Sequence, residues 1–114
     1  LPNEEGAHTK GQNSSSLGIC LAGDFTYSTP TAAQRNALCT LIEAAQKVFF
    51  IKDEHIYPHR AFRPTSCYGD SLGDIWARET YQNWKKKDII NSLYLLLEKL
   101  VKLYALLKLK LTLK

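Results

Sequence analysis

The sequence is poor in several features that mark specialised classes of protein. It has three cysteines, an odd number, and no CxxC pair, which argues against a disulfide-stapled scaffold. Its longest unbroken apolar run, LYLLL, is far shorter than the ~20 residues that a membrane-crossing helix needs. The opening LPNEEGAHTK is polar and acidic, unlike a secretory signal, and there is no methionine. We therefore expect the true start of the protein to lie upstream.

What remains is the composition of an ordinary folded domain. Apolar residues make up 45% of the 114 residues and charged residues 23%, which excludes disorder and collagen-like structure. The net charge of +4 is unevenly spread, because residues 1–84 carry seven basic and nine acidic side chains, whereas residues 85–114 carry eight lysines and two acids. Since the basic charge is confined to the tail, we expect no nucleic-acid partner.

The residue patterns up to position 84 predict alternating strands and helices. Residues 16–25, SLGICLAGDF, form the short apolar run of a buried strand. A capping box, TAAQ, starts at Thr31, and apolar residues then recur at spacings of three and four, which predicts a helix over residues 32–49. HIYPHR, residues 55–60, is typical of a short strand, and residues 71–84 favour a second helix. This order predicts an α/β fold.

The cysteines differ in their surroundings. Cys20 and Cys39 lie in apolar segments, where we expect small buried side chains, and a Cys20–Cys39 disulfide is the alternative. Only Cys67 stands among polar and turn-forming residues.

The tail has a different character from the body. From Ile89 to Leu107, apolar residues recur at spacings of three and four, which predicts an amphipathic helix of about 22 residues. Two interpretations stay open. The leucine face packs on the body or on a copy of itself, or residues 86–111 adhere to anionic envelope polymers or a membrane surface.

Residues 58–70, PHRAFRPTSCYGD, place His59 and Cys67 eight positions apart in an irregular loop. Imidazole and thiolate are preferred ligands of Zn²⁺, and a loop of this length can bring both to one ion. Spacing alone also allows a surface histidine beside an incidental cysteine.

Three blocks of sequence carry a resemblance to a known family. HTKGQNSSSLGICLAGDF, then PTAAQRNAL, then HR…TSC occur in this order over roughly residues 6–80. The pattern resembles the zinc-dependent N-acetylmuramoyl-L-alanine amidases shared by phage endolysins and peptidoglycan recognition proteins. The resemblance implies a mixed sheet flanked by helices over residues 1–84, and the amphipathic tail of residues 85–114 lies outside it. It also implies peptidoglycan as partner and action outside the cell, at the cell wall or in the periplasm.

The resemblance assigns roles to individual residues. His59 and Cys67 match two of the family's three zinc ligands, and Thr65 matches the position of a residue that assists catalysis. His8 and Asn13 match the segment that lines the substrate groove. These matches imply zinc-dependent cleavage of the amide between N-acetylmuramic acid and L-alanine, with a non-catalytic peptidoglycan-binding module as the alternative.

Some positions depart from the family pattern. Pro58 stands where the family usually has glycine, and Tyr68 where it usually has proline. The family's first zinc histidine and its catalytic tyrosine have no counterpart in this sequence, so the third zinc ligand is unidentified. We expect either a fragment of a longer amidase, inactive as it stands, or another group that completes the site. His55 matches no role and is expected to be structural or exposed.

Overall fold

The structure, a computed structural model, describes residues 4–113 and contains two α-helices in that range. Helix α1 runs from Ala32–Phe49 and helix α2 from Trp76–Thr112. Two 3-10 turns, Asp53–His55 and His59–Ala61, lie between them. The chain divides into two compact units, Leu1–Tyr81 and Gln82–Lys114. The assignment of residues 1–84 to an amidase-like domain and of residues 85–114 to a separate tail stays a prediction.

Helix α1 has the bounds that its sequence predicted, residues 32–49. The Thr31 hydroxyl accepts a hydrogen bond from the Gln34 amide at 3.1 Å, and the Gln34 side chain accepts one from the Thr31 amide at 2.9 Å. This capping box satisfies two amides that the first helical turn leaves unpaired. At the other end, Phe50 adopts a left-handed conformation with φ 56, and its amide donates to Gln46. Both helix ends are therefore fixed by local contacts.

The core of the first unit is small. Its buried apolar residues are Leu38, Cys39, Ile42, Leu72, Ala77 and Tyr81. Tyr81, near the start of α2, is 2% exposed, and its hydroxyl donates to the Gln46 side chain in α1 at 2.7 Å. The Gln46 amide group in turn donates to Asp53 at 2.7 Å. This chain of hydrogen bonds joins the two helices and the first 3-10 turn.

The predicted α/β fold is wrong for the residues that the structure describes. Between positions 4 and 113 there is no strand, and the regular structure is helical. The segment predicted as the first strand is irregular, with Leu17 and Ile19 each more than 40% exposed. A strand becomes stable only when its backbone groups pair with another strand. Apolar composition alone therefore did not produce one.

The second predicted strand and several smaller predictions also fail. Pro58 precedes a 3-10 turn within HIYPHR, since proline lacks the amide that a strand would use. The helix expected from residue 71 begins at Trp76 instead. Cys20 is exposed, while Cys39 is buried as predicted, and burial raises the pKa of the Cys39 thiol. Both cysteines are free, so the structure does not contain the alternative Cys20–Cys39 disulfide.

The tail is helical, as expected, and belongs to α2. In the unit Gln82–Lys114, none of the side chains that the structure describes is buried. Over residues 4–113, no helix has both the length and the apolar content that crossing a membrane would require. Most of the apolar side chains of this unit are therefore exposed to solvent.

Candidate functional site

The structure brings the turns that carry His59 and Cys67 next to each other. His59 begins the 3-10 turn, where its carbonyl accepts from the amides of Phe62 at 3.1 Å and Arg63 at 3.2 Å. The Arg60 amide donates to the Cys67 carbonyl at 3.2 Å, which ties the two segments together. His59 is half-buried and Cys67 is exposed. The predicted ligand pair therefore lies on two backbone segments in direct contact.

The side chain of Arg60 reinforces this arrangement. Its guanidinium forms an ion pair with Asp74 and donates to the carbonyl of Leu72 at 2.9 Å and of Ser66 at 3.5 Å. Because guanidinium is planar and offers five donors, one side chain can hold several acceptors in a fixed geometry. Arg60 thus connects the turn after His59 to the loop that contains Cys67.

The loop after Cys67 is fastened to the segment that follows the first apolar run. The Ser71 amide donates to the Phe25 carbonyl at 3.2 Å, and the Ser71 hydroxyl contacts that carbonyl and the Ser28 carbonyl, the latter at 2.6 Å. Gly69 has φ 122, and a Cβ at this position would lie 2.8 Å from the Thr26 amide nitrogen. Only glycine fits this conformation and this close approach.

Tyr68, the residue after Cys67, forms an aromatic pair with Trp76, which we call the aromatic wall beside Cys67. Its ring meets the ring of Trp76 edge-on, at a centroid distance of 5.7 Å and an angle of 68°. Burial, with a smaller contribution from the charge of Cys67, raises the pKa of Tyr68 to about 12. Its hydroxyl is therefore harder to deprotonate than that of a solvent-exposed tyrosine.

Thr65 lies in the same loop, and its hydroxyl accepts a hydrogen bond from the Cys67 amide at 3.4 Å. This is the local contact expected of a threonine that stabilises a turn. The structure therefore gives Thr65 a part in shaping the Cys67 loop, while its catalytic role stays a prediction.

The predicted substrate-binding residues form a second, separate local structure. The Asn13 side chain accepts hydrogen bonds from the amides of His8 at 2.9 Å and Thr9 at 2.7 Å. One nitrogen of the His8 ring lies 3.1 Å from the Ser16 carbonyl. A Cβ on Gly18 would lie 2.5 Å from the His8 ring, so glycine leaves the ring its space. His8 and Asn13 are therefore both held within one loop, half-buried.

A shallow groove of about 320 Å³ lies beside the His59 turn. Its lining includes Tyr57, Arg60, Asp74 and Arg78, and neither His59 nor Cys67 belongs to it. Arg78 donates to the carbonyls of Glu54 at 2.8 Å and Ile56 at 3.3 Å. Arg78 therefore lines the groove because it also holds the backbone of the loop at Glu54 and Ile56.

The residues present fit part of a zinc site. An imidazole and a thiol are donors that zinc prefers, and the backbone contact between their segments suits a shared ion. Among residues 4–113, however, no three His, Cys, Asp or Glu side chains are grouped so that they could hold a metal together. A zinc ion bound by His59 and Cys67 needs a further ligand.

The sequence analysis did not predict that Arg60 and Ser71 hold the Cys67 loop through their side chains. Arg60 directly follows a predicted ligand and stands fourteen positions before the acid it pairs with, a separation too irregular to suggest contact. His55 is exposed, one of the two placements expected for it, and stacks on Tyr57 at 6.3 Å between ring centroids.

Comparisons with known proteins cover more than half of the chain. The family model described as N-acetylmuramoyl-L-alanine amidase matches residues 2–70. The chain is 38% identical over 84 residues to peptidoglycan-recognition protein 2 of Holotrichia diomphalia, covering 73% of this chain and 42% of that protein. It is 36% identical over 72 residues to the N-acetylmuramoyl-L-alanine amidase of Homo sapiens, covering 61% of this chain and 12% of that protein.

A third relative, peptidoglycan-recognition protein SC2 of Drosophila melanogaster, is 34% identical over 85 residues, covering 73% of this chain and 45% of that protein. The chain thus spans less than half the length of these curated relatives. No solved structure matches it. The family model covers more than half of the chain and agrees with the resemblance carried by the His8, His59 and Cys67 blocks. The chain therefore belongs to the N-acetylmuramoyl-L-alanine amidase family.

Proposed function

We propose that this chain acts on peptidoglycan as a zinc-dependent amidase, cleaving the bond between N-acetylmuramic acid and L-alanine. The observation that carries the proposal is the backbone hydrogen bond from Arg60 to Cys67, which joins the segments bearing the two predicted zinc ligands. Family membership supports the same chemistry. The place of action is then the cell wall, outside the cytoplasm.

In this proposal His59 and Cys67 hold the metal, as neutral imidazole and thiolate, and a further ligand completes the site. Zinc, when bound, supplies a Lewis acid and lowers the pKa of a coordinated water to about 7. Thr65 donates one hydrogen bond from its neutral hydroxyl toward the developing oxyanion without supplying charge. Since that hydroxyl already accepts from the Cys67 amide, its oxygen is held in place and its proton is available to a substrate oxygen.

The muropeptide is proposed to contact the loop of His8 and Asn13. Asn13 uses its carbonyl oxygen to hold the loop, so the loop is ordered before substrate arrives. An ordered loop loses less conformational entropy on binding.

The test combines metal content with the release of new L-alanine amino termini from purified peptidoglycan. We expect wild type to bind zinc and release L-alanine termini, and His59→Ala and Cys67→Ala to lose both. The chain offers matched controls, His55→Ala and Cys20→Ala, because both residues are exposed and neither lies in the site. Retention of zinc and cleavage by both site variants would refute the proposal.

A second candidate function is peptidoglycan recognition without cleavage. It is favoured by the two relatives whose names are peptidoglycan-recognition proteins and by the preformed His8 loop. The two functions separate cleanly: muropeptide binding without release of L-alanine termini, unchanged in Cys67→Ala and lost in Asn13→Ala, would favour recognition.

A further inference from the structure

The second unit presents large apolar side chains to solvent on several sides of α2, and one set of them follows a single line along the helix. We define the leucine stripe as Ile89, Leu93, Leu96, Leu100, Leu103 and Leu107. Each is between 53% and 60% exposed. Contiguous apolar surface of this kind on a folded chain marks a site of interaction.

The spacing of the leucine stripe is that of helices packed on helices. Its members are separated alternately by four and three residues, as at the a and d positions of a heptad. Ile90, Leu97 and Tyr104 each follow a d position directly and are also more than half exposed. An apolar face that includes a, d and e positions is typical of a helix inside a bundle.

The apolar area matches what a stable interface needs. Burying one such side chain contributes about 1.5–3 kcal/mol, which at ~25 cal/mol per Å² corresponds to roughly 60–120 Å². The leucine stripe and its three flanking residues then offer on the order of 500–1000 Å² per copy, and a standard interface buries about 800 Å² per partner. A second copy of this helix supplies a surface of the same size and chemistry.

The lysines are compatible with this packing. Between Ile89 and Leu107 the two lysines, Lys99 and Lys102, occupy g and c positions of the same heptads, so joining leucine stripes buries no ammonium group. Lys108 follows the stripe and lies over the Tyr104 ring at 6.0 Å from its centroid.

A membrane surface is a poorer match for α2. A helix that lies on an anionic membrane separates its apolar face from a strongly charged one. In α2, the side of the helix that carries Lys99 and Lys102 also carries Leu95, Leu106 and Leu109, each more than half exposed. We propose that this chain self-associates through the leucine stripe, forming a helical bundle between copies of α2.

The experiment measures the mass of the full chain by sedimentation equilibrium, over concentrations from about 1 to about 100 µM, because association depends on mass action. We expect a mass at least twice the 12.9 kDa of one chain. The variant Leu96→Glu with Leu100→Glu places charge in the leucine stripe. It is expected to weaken association at least a hundredfold.

The matched control is Leu95→Glu with Leu109→Glu, which adds the same charge at two c positions, away from the leucine stripe, and is expected to stay associated. Far-UV circular dichroism checks that both variants keep their helix content, and Leu96→Ala with Leu100→Ala tests the same contact without adding charge. A wild-type monomer at the highest concentration, whether or not it binds vesicles of phosphatidylglycerol, would overturn the proposal. Equal dissociation of the stripe variant and the control would overturn it as well.

Discussion

The contact between Tyr81 and Gln46 offers a measurable test of how the first unit is held together. Replacing Tyr81 by Phe keeps the buried ring and removes the hydroxyl that donates to Gln46 at 2.7 Å. A neutral hydrogen bond contributes about 0.5–1.5 kcal/mol net, and leaving a buried acceptor unpaired adds to the loss. Because Gln46 is only half-buried, water can partly replace the donor. We expect Tyr81→Phe to lower the free energy of unfolding by about 1–1.5 kcal/mol.

The same position separates hydrogen bonding from packing. Tyr81→Ala also removes a side chain that is 2% exposed, and truncation of a buried aromatic residue costs about 3–5 kcal/mol. Urea unfolding followed by tryptophan fluorescence measures both variants, with Tyr27→Phe as the control because Tyr27 is 92% exposed. A Tyr81→Phe variant as stable as wild type, or a Tyr27→Phe variant equally destabilised, would refute the reasoning.

Three further predictions concern the ends of α1 and the aromatic wall beside Cys67. Thr31→Ala removes the capping box and should lower the free energy of unfolding by about 1 kcal/mol, whereas no change in urea midpoint would contradict a role for the cap. Phe50→Gly should raise it by about 0.5–1 kcal/mol, because φ 56 favours glycine and the lost side chain is 88% exposed; a destabilised variant would argue against this. The raised pKa of Tyr68 means that the folded state holds this proton more tightly than the unfolded state, so its contribution to stability is complete below pH 10 and is lost as the pH rises toward about 12. Absorbance titration of tyrosinate should show a late-titrating group that Tyr68→Phe removes, and an unchanged titration in that variant would contradict the assignment.

The parts of this molecule that could be predicted from sequence are those that depend on neighbours within one turn. Helix α1 follows from the capping box at Thr31 and the three-and-four spacing of its apolar residues, and both act within the helix itself. The predicted strand at residues 16–25 rested on apolar composition, but a strand requires a partner whose position lies elsewhere in the chain. That partner is absent from residues 4–113, and Leu17 and Ile19 remain exposed.

The candidate site divides in the same way. His59 and Cys67 could be named because imidazole and thiolate have a recognisable chemistry and the family blocks order them. Asn13 could be placed in its loop, but its two backbone hydrogen bonds could not be foreseen from residue type. The contacts of Arg60 and Ser71 depend on segments brought together by folding, so local patterns contain no signal for them.

The hydrogen bonds of Ser71 join positions 46 and 43 residues apart in the chain. Contacts of such separation form after local ones, because the entropy of closing a long loop must first be overcome. The loop that carries Cys67 is therefore expected to order late in folding and to open before α1 does. In native-state hydrogen exchange, the Ser71 amide should exchange faster than amides in the middle of α1. A modest loss of stability anywhere in the first unit would then reach the candidate metal ligands before it unfolds α1.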